Sequence, residues 1–202
     1  MLATKSHRYI PLFRRRREGK TDFRKRKAIV LSRKPFITIY VSGKNILTQI
    51  ITASPLGDQV IASSHSRELI KYGWKGSRKA LPAAYLTGLI SGLKAVKKGV
   101  NEVILYTGVK PYVSGSRITA VAKGLIDAGV KVPVEGKTLS SEKSIRGEHI
   151  AAYAATLMKM DKALYKARFS NLIREGLKPE DYPKHFEEVR ERIKKDFGGG
   201  SG

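Results

Sequence analysis

The charge pattern of the chain changes abruptly after Lys34, and this change restricts what the chain can fold into. Residues 1–34 contain 13 Lys and Arg residues against two acidic residues. Like charges at this density repel one another and resist burial, so this segment does not build a core of its own. The residues that follow, Phe36–Val41 and Ile46–Thr52, are rich in β-branched and aromatic side chains and flank the turn sequence SGKN. We therefore predict a basic N-terminal arm, residues 1–34, followed by a domain that begins with a β-hairpin.

Residues 35–134 have the pattern of an α/β domain. A third predicted strand, residues 59–64, follows the hairpin closely, and three strands joined by short turns indicate an antiparallel meander. In residues 81–98 the large apolar side chains recur three and four residues apart, which is typical of a helix. A buried strand is predicted over residues 102–106 and a second helix over residues 115–128. The predicted fold class is therefore α/β, with a three-stranded antiparallel meander and a further strand packed with helices in the order β-β-β-α-β-α.

The segment 135–202 is predicted to be a C-terminal helical extension. Helices are expected over residues 147–158 and 183–196, whereas residues 130–146 are expected to be irregular. The chain ends in the sequence GGGSG, which we expect to be flexible.

Two local signals add detail to this arrangement. Thr21 or Asp22 can cap a helix that continues to about Ser32. Gly88 and Gly92 form a groove of small residues on the first core helix, and we expect this groove to let the helix lie close to the sheet.

Composition restricts the possible classes of function. The formal net charge is +23 and Cys is absent, which excludes disulfides, thiolate nucleophiles and Cys-ligated zinc. The sequence has no apolar signal core and no segment with the roughly 18 apolar residues of a membrane span, so we expect a soluble, intracellular protein. Membrane attachment would require large apolar anchors on one face of the arm, whereas its apolar residues are interleaved with arginines. Nucleic acid is therefore the favoured partner, and no membrane is expected.

Patterns for catalysis and metal binding are sparse. The four histidines are scattered without metal-ligand spacing, and the sequence has no Walker loop. The β-β-β-α-β-α order is similar to that of ribonuclease H-like nucleases, which need several carboxylates to hold two metal ions. Residues 35–134 contain four carboxylates, none in the first strand: Asp58, Glu68, Glu102 and Asp127. We expect no enzymatic activity, no metal and no cofactor, and a nuclease is the weakest alternative.

Signals for RNA binding are better represented. Tyr9, Phe13 and Phe23 lie among the arginines of the arm and either stack on unpaired bases or fold back on the protein. Trp74 stands in a glycine-flanked loop and is either a core side chain or a stacking platform for RNA. Lys44 and Asn45 at the hairpin tip and residues 63–67 at a strand end lie where a sheet edge can meet RNA.

A long motif in the arm carries a resemblance to a known family. Residues 8–23, RYIPLFRRRREGKTDF, closely resemble the opening of the archaeal-type 5S-rRNA-binding protein of the large ribosomal subunit, the large-subunit ribosomal protein eighteen family. The resemblance covers nearly the whole chain and continues in IASSHS (61–66), YGW (72–74), AAYLTGL (83–89), GLIDAG (124–129) and RGEHIA (146–151). Two departures are Phe23, where a Tyr is expected, and the turn SGKN, where the family often has a sequence of the SNKH type.

This resemblance implies a non-catalytic protein of the cytoplasmic ribosome. Family members bind 5S rRNA, contact 23S rRNA and help to seat the 5S particle in the central protuberance. Their neighbours are other large-subunit proteins, including the other 5S-rRNA-binding protein. Phosphate contacts from the arm would supply affinity and register, and RNA shape and loops would supply recognition. The residues expected to contact rRNA are Arg8, Tyr9, Arg14, Arg15, Arg16, Arg17, Lys20, Thr21, Arg24, Lys25, Arg26 and Arg33 in the arm, Lys44, Asn45, His65 and Ser66 at the sheet edge, and Trp74 and Lys75 in the loop.

The alternative is a general nucleic-acid chaperone or an architectural RNA-binding protein. This function would account for the net charge but not for the long, specific motif in the arm. Competition with unrelated structured RNA separates the two hypotheses, because a chaperone loses its 5S rRNA to the competitor and a specific binder keeps it.

Overall fold

The structure, a computed structural model, describes residues 11–54 and 56–198. In this part of the chain four strands form a mixed sheet: β1 (Phe36–Val41), β2 (Ile46–Thr52), β3 (Gln59–His65) and β4 (Ile104–Tyr106). Their order across the sheet is β3-β2-β1-β4. The first three strands are antiparallel neighbours, whereas β4 is parallel to β1. The predicted meander and the α/β class are confirmed.

Helices occupy most of the remaining described chain. They are α1 (Arg14–Arg17), α2 (Phe23–Ser32), α3 (Leu81–Lys97), α4 (Arg117–Asp127), α5 (Glu142–Arg146), α6 (Glu148–Met160), α7 (Lys162–Arg168), α8 (Ser170–Arg174) and α9 (Tyr182–Gly198). Short 3-10 turns lie at Ser66–Tyr72, Gly136–Thr138 and Pro179–Asp181. The five helices predicted from periodicity and capping are confirmed, with ends that differ by a few residues.

Several short helices were not predicted, and two of them, α5 and α7, begin at a side-chain cap rather than in a periodic apolar pattern. The side chain of Ser141 accepts a hydrogen bond from the backbone N–H of Ser144 and begins α5. Asp161 accepts from the N–H groups of Ala163 and Leu164, at 2.7 and 3.1 Å, and begins α7. The prediction that residues 130–146 are irregular is therefore wrong at α5 and at the preceding 3-10 turn.

The main core lies on one face of the sheet, beneath α3 and α4. Ile37 of β1 and Ile50 of β2 point to this face and are fully buried. Leu86 and Leu89 of α3 and Leu125 of α4 fill the space above them. Burial of an aliphatic side chain of this size stabilises a fold by roughly 1.5–3 kcal/mol, so this layer is a principal source of stability.

The close approach predicted at Gly88 and Gly92 exists, but its partner is not the sheet. A Cβ atom on Gly88 would lie 2.9 Å from the Cα atom of Val121, and one on Gly92 would lie 3.3 Å from the Cα atom of Leu125. Both contacts are with α4. The prediction was wrong because small-residue spacing indicates a close neighbour without specifying whether that neighbour is a helix or a sheet.

The C-terminal helix completes the same core. Phe186, Val189 and Ile193 of α9 recur three and four residues apart, are buried, and belong to the apolar cluster that contains Ile37. The ring of Phe186 lies 5.6 Å from that of Tyr85 in α3. The division of the chain into residues 1–34, 35–134 and 135–202 stays a prediction, and the core extends across its second boundary.

The opposite face of the sheet is covered at one end. Asp22, rather than Thr21, caps α2, and Ile29 of this helix packs on Phe36 of β1 and Ile51 of β2 in a small second cluster. This packing fixes the position of the basic helix against the sheet, whereas the other end of the same face, around Tyr40, is exposed in the described structure.

Candidate nucleic-acid interface

The uncovered part of the sheet presents polar and aromatic side chains. The strand register places Thr38, Tyr40, Leu47, Gln49 and His65 on the face opposite to α3. Tyr40 is 60% exposed, and the ammonium group of Lys110 lies 5.3 Å from the centre of its ring. An exposed aromatic ring on a sheet, next to a cation, is suited to stacking on an unpaired base.

The basic arm lies beside this face. The carboxylate of Asp22 accepts hydrogen bonds from the N–H groups of Arg24 and Lys25, at 3.0 and 3.2 Å, and this cap starts α2. Burial raises the pKa of Tyr106 in β4, and the positive charges of Arg26 and Arg15 lower it. The arm helix lies against the sheet because Ile29 of α2 packs on Phe36 and Ile51.

Two arm residues predicted to contact RNA also attach α2 to the domain. Arg26 forms a salt bridge with Asp58, and its guanidinium group lies 5.2 Å from the ring centre of Phe36. The ammonium group of Lys25 donates a hydrogen bond to the backbone carbonyl of Gly108 at 3.2 Å. Arg24, in contrast, is exposed. Within α2, the side chains of Lys25 and Arg26 therefore hold the helix against the domain, whereas the charge of Arg24 is available to a partner.

Helix α1 divides the arginine run in the same way. Arg14 and Lys20 both pair with the carboxylate of Glu18 at 2.8 Å, and Arg15 donates to the hydroxyl of Thr21 at 2.8 Å. The hydrogen bonds from Lys20 and Arg14 lower the pKa of Glu18. The two remaining arginines, Arg16 and Arg17, are exposed and form no side-chain bond with a described residue. These two side chains are the most available cations of the run.

The two described arm aromatics show features of both roles that the sequence left open, which were packing on the protein and stacking on bases. The rings of Phe13 and Phe23 lie 5.1 Å apart, so they do fold back on one another. Phe13 is nevertheless 71% exposed.

Arg33 is exposed at the end of α2. Arg8 and Tyr9, which were also predicted to contact RNA, lie outside the described residues.

At the sheet edge, the four predicted contact residues have different surroundings. Lys44 is exposed at the hairpin tip and Asn45 is half-buried. His65 lies on the uncovered face, and its Nδ1 atom accepts a hydrogen bond from the N–H of Arg67 at 3.0 Å. Ser66 is fully buried, and its hydroxyl accepts from the N–H of Ile46 at 3.0 Å. The buried side chain of Ser66 faces the protein interior, which argues against a contact of its hydroxyl with RNA, and the predicted contact remains untested.

The structure also favours one of the two roles considered for Trp74. The indole ring is 5% exposed, lies nearly parallel to the imidazole of His185 with ring centres 5.3 Å apart, and meets the ring of Tyr182 edge-on at 5.5 Å. Its faces are therefore occupied, which favours the core role over the stacking platform, and contact of Trp74 with RNA stays a prediction. Lys75 next to it is exposed, although its backbone N–H donates to Nε2 of His185 at 3.1 Å.

Sequence reasoning did not identify Tyr40, Gln49 or Lys110. A signal for Tyr40 was present, because Thr38 and Tyr40 alternate with Ile37 and Ile39 along β1. The pattern shows that they share a face, but the absence of a covering helix over that face depends on the tertiary arrangement.

The carboxylates required for the nuclease alternative are each engaged by a cation. Asp58 pairs with Arg26, Glu68 with Lys94 at 2.6 Å, Glu102 with Lys34 at 2.7 Å, and Asp127 with Lys123 at 3.3 Å. Within residues 11–54 and 56–198, no three His, Asp or Glu side chains come together in a group that could hold a metal ion. No helix in this part of the chain is both long enough and apolar enough to cross a membrane.

Comparison with known proteins agrees with the motif in the arm. Residues 7–102 match a family model described as ribosomal large subunit proteins 60S L5, and 50S L18. The chain is 46% identical over 186 residues to large ribosomal subunit protein uL18 of Thermofilum pendens, covering 92% of this chain and 95% of the relative. It is 47% identical over 191 residues to the uL18 protein of Ignicoccus hospitalis, covering 94% of this chain and 93% of the relative. For the Caldivirga maquilingensis protein of the same name the identity is 45% over 193 residues, covering 95% and 93%. The resemblance inferred from the sequence is confirmed, and the chain belongs to the uL18 family of large-ribosomal-subunit proteins.

Proposed function

We propose that this protein binds 5S rRNA and helps to anchor it to 23S rRNA in the central protuberance of the large ribosomal subunit. The observation that carries the proposal is the sheet face with Tyr40 at its centre, which lies open beside the basic arm. If this face were buried in the protein core, Tyr40 would not be accessible to RNA.

Family membership gives the coarser part of the function. The protein is a non-enzymatic constituent of the large ribosomal subunit, and it is located in the ribosome in the cytoplasm. This position brings it into association with rRNA and with other ribosomal proteins. The other 5S-rRNA-binding protein is the neighbour that we propose from the sequence motif.

The two parts of the surface have different physical roles. Exposed cations such as Arg16 and Arg17 bind phosphates and release condensed counterions, which supplies affinity that does not depend on base sequence. The uncovered face offers Tyr40 for stacking and Gln49 for hydrogen bonds to base edges, which supplies preference for a particular unpaired loop. In this proposal the arm supplies the affinity for RNA, and the sheet supplies the preference for a particular unpaired loop.

The proposal is tested by binding of the purified protein to 5S rRNA at about 150 mM salt, a concentration that weakens purely electrostatic binding. Excess tRNA serves as the competitor, because it is also a compact, structured RNA. We expect a one-to-one complex with 5S rRNA that survives the competition. Equal loss to tRNA would contradict specific binding and would support the chaperone. Retention of a 23S rRNA fragment from the central protuberance by the preformed complex then tests the anchoring role.

A further inference from the structure

A second concave surface lies at the tip of the β1–β2 hairpin. We call it the hairpin cleft; it has a volume of about 700 Å³. Its walls are the hairpin turn with Lys44, the loop that runs from Trp74 to Ala80, and the turn after α8 that contains Glu175. The cleft is distinct from the uncovered sheet face, although both are bounded by the same hairpin.

The rim of the hairpin cleft is strongly basic. It carries four cationic side chains, Lys44, Lys75, Arg78 and Lys79, and one carboxylate, that of Glu175. None of the four cations forms a salt bridge with a residue in the described part of the chain. Elsewhere on the domain many carboxylates are paired with nearby cations, as in Glu68–Lys94. The rim is therefore a local concentration of charge that the protein itself does not neutralise.

Two residues that line the cleft, Trp74 and Tyr182, are 5% and 1% exposed. Each carries a buried hydrogen-bond donor, Nε1 of Trp74 and the hydroxyl of Tyr182, that has no acceptor in the described protein. A Cβ atom on Gly76 would lie 2.6 Å from that hydroxyl, so the glycine backbone lies directly against it. A buried donor has lost its hydrogen bonds to water, which is unfavourable unless an acceptor replaces them. Indole N–H groups donate but do not accept, so the missing partner carries acceptor atoms.

One wall of the cleft is apolar. It includes Ile70, which is 55% exposed, Leu172 of α8 and Ile150 of α6. An isolated phosphate would use the cations but not this wall. A nucleotide has both parts, a phosphate for the cations and a flat base with carbonyl and ring-nitrogen acceptors for the apolar wall and the unpartnered donors.

We propose that the hairpin cleft binds one unpaired nucleotide of rRNA, with its phosphate at the basic rim and an acceptor atom of the nucleotide at Trp74 or Tyr182. The inference rests on the proposed function, because the nucleotide belongs to the RNA that crosses the sheet face. Lys44 supports this continuity, since it stands on the hairpin that bounds both surfaces. An acidic peptide would also meet the cations, but it would leave the apolar wall unused.

The tryptophan makes this cleft directly observable. Trp74 is the single Trp of the chain, so the intrinsic fluorescence of the intact protein reports on the cleft. Titration with each of the four nucleoside monophosphates, up to about 10 mM, suits the weak affinity expected of an isolated small ligand. Inorganic phosphate, the free nucleosides and a polyglutamate peptide are the comparison probes. We expect a saturable spectral change that is stronger for a nucleoside monophosphate than for phosphate or nucleoside. No change with any nucleotide, an equal response to phosphate, or a preference for the peptide would overturn the proposal.

Variants separate the charged rim from the buried donors. Arg78→Gln should weaken nucleotide binding about ten-fold by removing one charge-assisted hydrogen bond, whereas Lys137→Gln, an exposed lysine outside the cleft, should not. Tyr182→Phe keeps the ring and should also weaken binding about ten-fold, without lowering the midpoint of thermal unfolding, because the hydroxyl has no partner in the free protein. A lower midpoint, or unchanged nucleotide affinity in this variant, would overturn the donor role.

Binding of 5S rRNA is measured in parallel for each protein. Specific 5S rRNA binding without any nucleotide response would overturn the cleft and leave the proposed function intact. Nucleotide binding by a protein that loses 5S rRNA to tRNA would instead contradict the proposed function, so the two failures are distinguishable.

Discussion

Gly88 in α3 and Val121 in α4 touch through their backbones, and a Cβ atom on Gly88 would lie 2.9 Å from the Cα atom of Val121. Gly124 in α4 makes the reciprocal contact, since its Cβ would lie 2.8 Å from the backbone nitrogen of Leu89. Two helices can come this close only where side chains are missing from both. Helices α3 and α4 cover the face of the sheet on which the main core lies, so the distance between them determines how closely the core side chains pack.

Gly88→Ala should therefore destabilise the protein. Alanine gains up to about 1 kcal/mol over glycine in a helix, but overpacking a close helix contact costs about 1–3 kcal/mol or more. The second effect should prevail, because the atoms of Val121 that the methyl group would meet belong to the backbone and cannot rotate away. We expect the free energy of unfolding, measured in urea, to fall by about 2 kcal/mol. Gly136→Ala is the control, since no atom lies within 4 Å of its Cβ position. Equal stability of the two variants would contradict the packing argument.

The strands and long helices could be predicted from sequence because local pattern and tertiary structure agree there. The β-branched runs in Phe36–Val41 and Ile46–Thr52 end at turn residues, and these strands have the predicted bounds. The partner of Gly88 could not be predicted, since the sequence spacing is the same for a helix and for a sheet neighbour. Helix α7 was missed because its start is marked by a single capping residue, Asp161.

The charged part of the candidate interface could be predicted, and the buried part could not. Arginines in a dense run are exposed wherever the arm lies, because burial of their charge is costly. Ser66 and Trp74 look equally available in sequence. The hydroxyl of Ser66 is turned inward to Ile46, and Trp74 is covered by His185, which is more than a hundred residues away in sequence. Distant contacts of this kind determine which polar and aromatic residues remain at the surface.

The arginine run allows a test in which two matched pairs are compared. Arg16→Ala with Arg17→Ala removes two exposed cations that have no side-chain partner in the described chain, and two lost phosphate contacts should reduce the log–log salt slope of 5S rRNA binding by about 1.5. Arg14→Ala with Arg15→Ala should reduce it less, because these side chains are already engaged by Glu18 and Thr21. The slope is measured between about 50 and 200 mM salt. An unchanged slope in the first pair would show that α1 does not contact phosphate.

Tyr40 tests whether the uncovered sheet face contacts bases. Tyr40→Ala should weaken 5S rRNA binding by about 1–3 kcal/mol, the usual contribution of one stacked base, whereas Tyr40→Phe should keep most of the affinity. Stability should change little, since the ring is 60% exposed. Tyr153→Ala on α6, where the side chain is 50% exposed, is the matched control for loss of a surface aromatic. A similar loss of affinity in both Ala variants would indicate that the sheet face has no special role.

Ser66 should behave as a structural residue. Ser66→Ala leaves the N–H of Ile46 buried without its acceptor, which should lower the free energy of unfolding by about 1–3 kcal/mol. The affinity for 5S rRNA, measured on the folded fraction, should not change. Ser63→Ala on the exposed side of β3 should affect stability by less than about 0.5 kcal/mol. Loss of RNA affinity without loss of stability in Ser66→Ala would restore the contact role that the structure argues against.

His185 should make the stability of the protein depend on pH. Burial lowers the pKa of its imidazole; the carboxylate of Glu188 opposes this shift, and the charges of Lys75 and Arg192 add to it. The neutral ring accepts a hydrogen bond from the N–H of Lys75, which a protonated ring cannot do.

The unfolded chain therefore binds a proton at a higher pH than the folded protein does. Above the ordinary histidine pKa of about 6.5 the stabilisation is fully present, and it is lost as the pH falls from there through the lowered folded-state value. His185→Gln keeps a side-chain oxygen that can accept but does not titrate in this range, so the fall in the free energy of unfolding between about pH 7 and pH 5 should become shallower. His149→Gln, at an exposed position, should keep the steeper fall of the parent protein. Parallel curves for His185→Gln and the parent protein would mean that the buried imidazole is not the group that couples protons to folding.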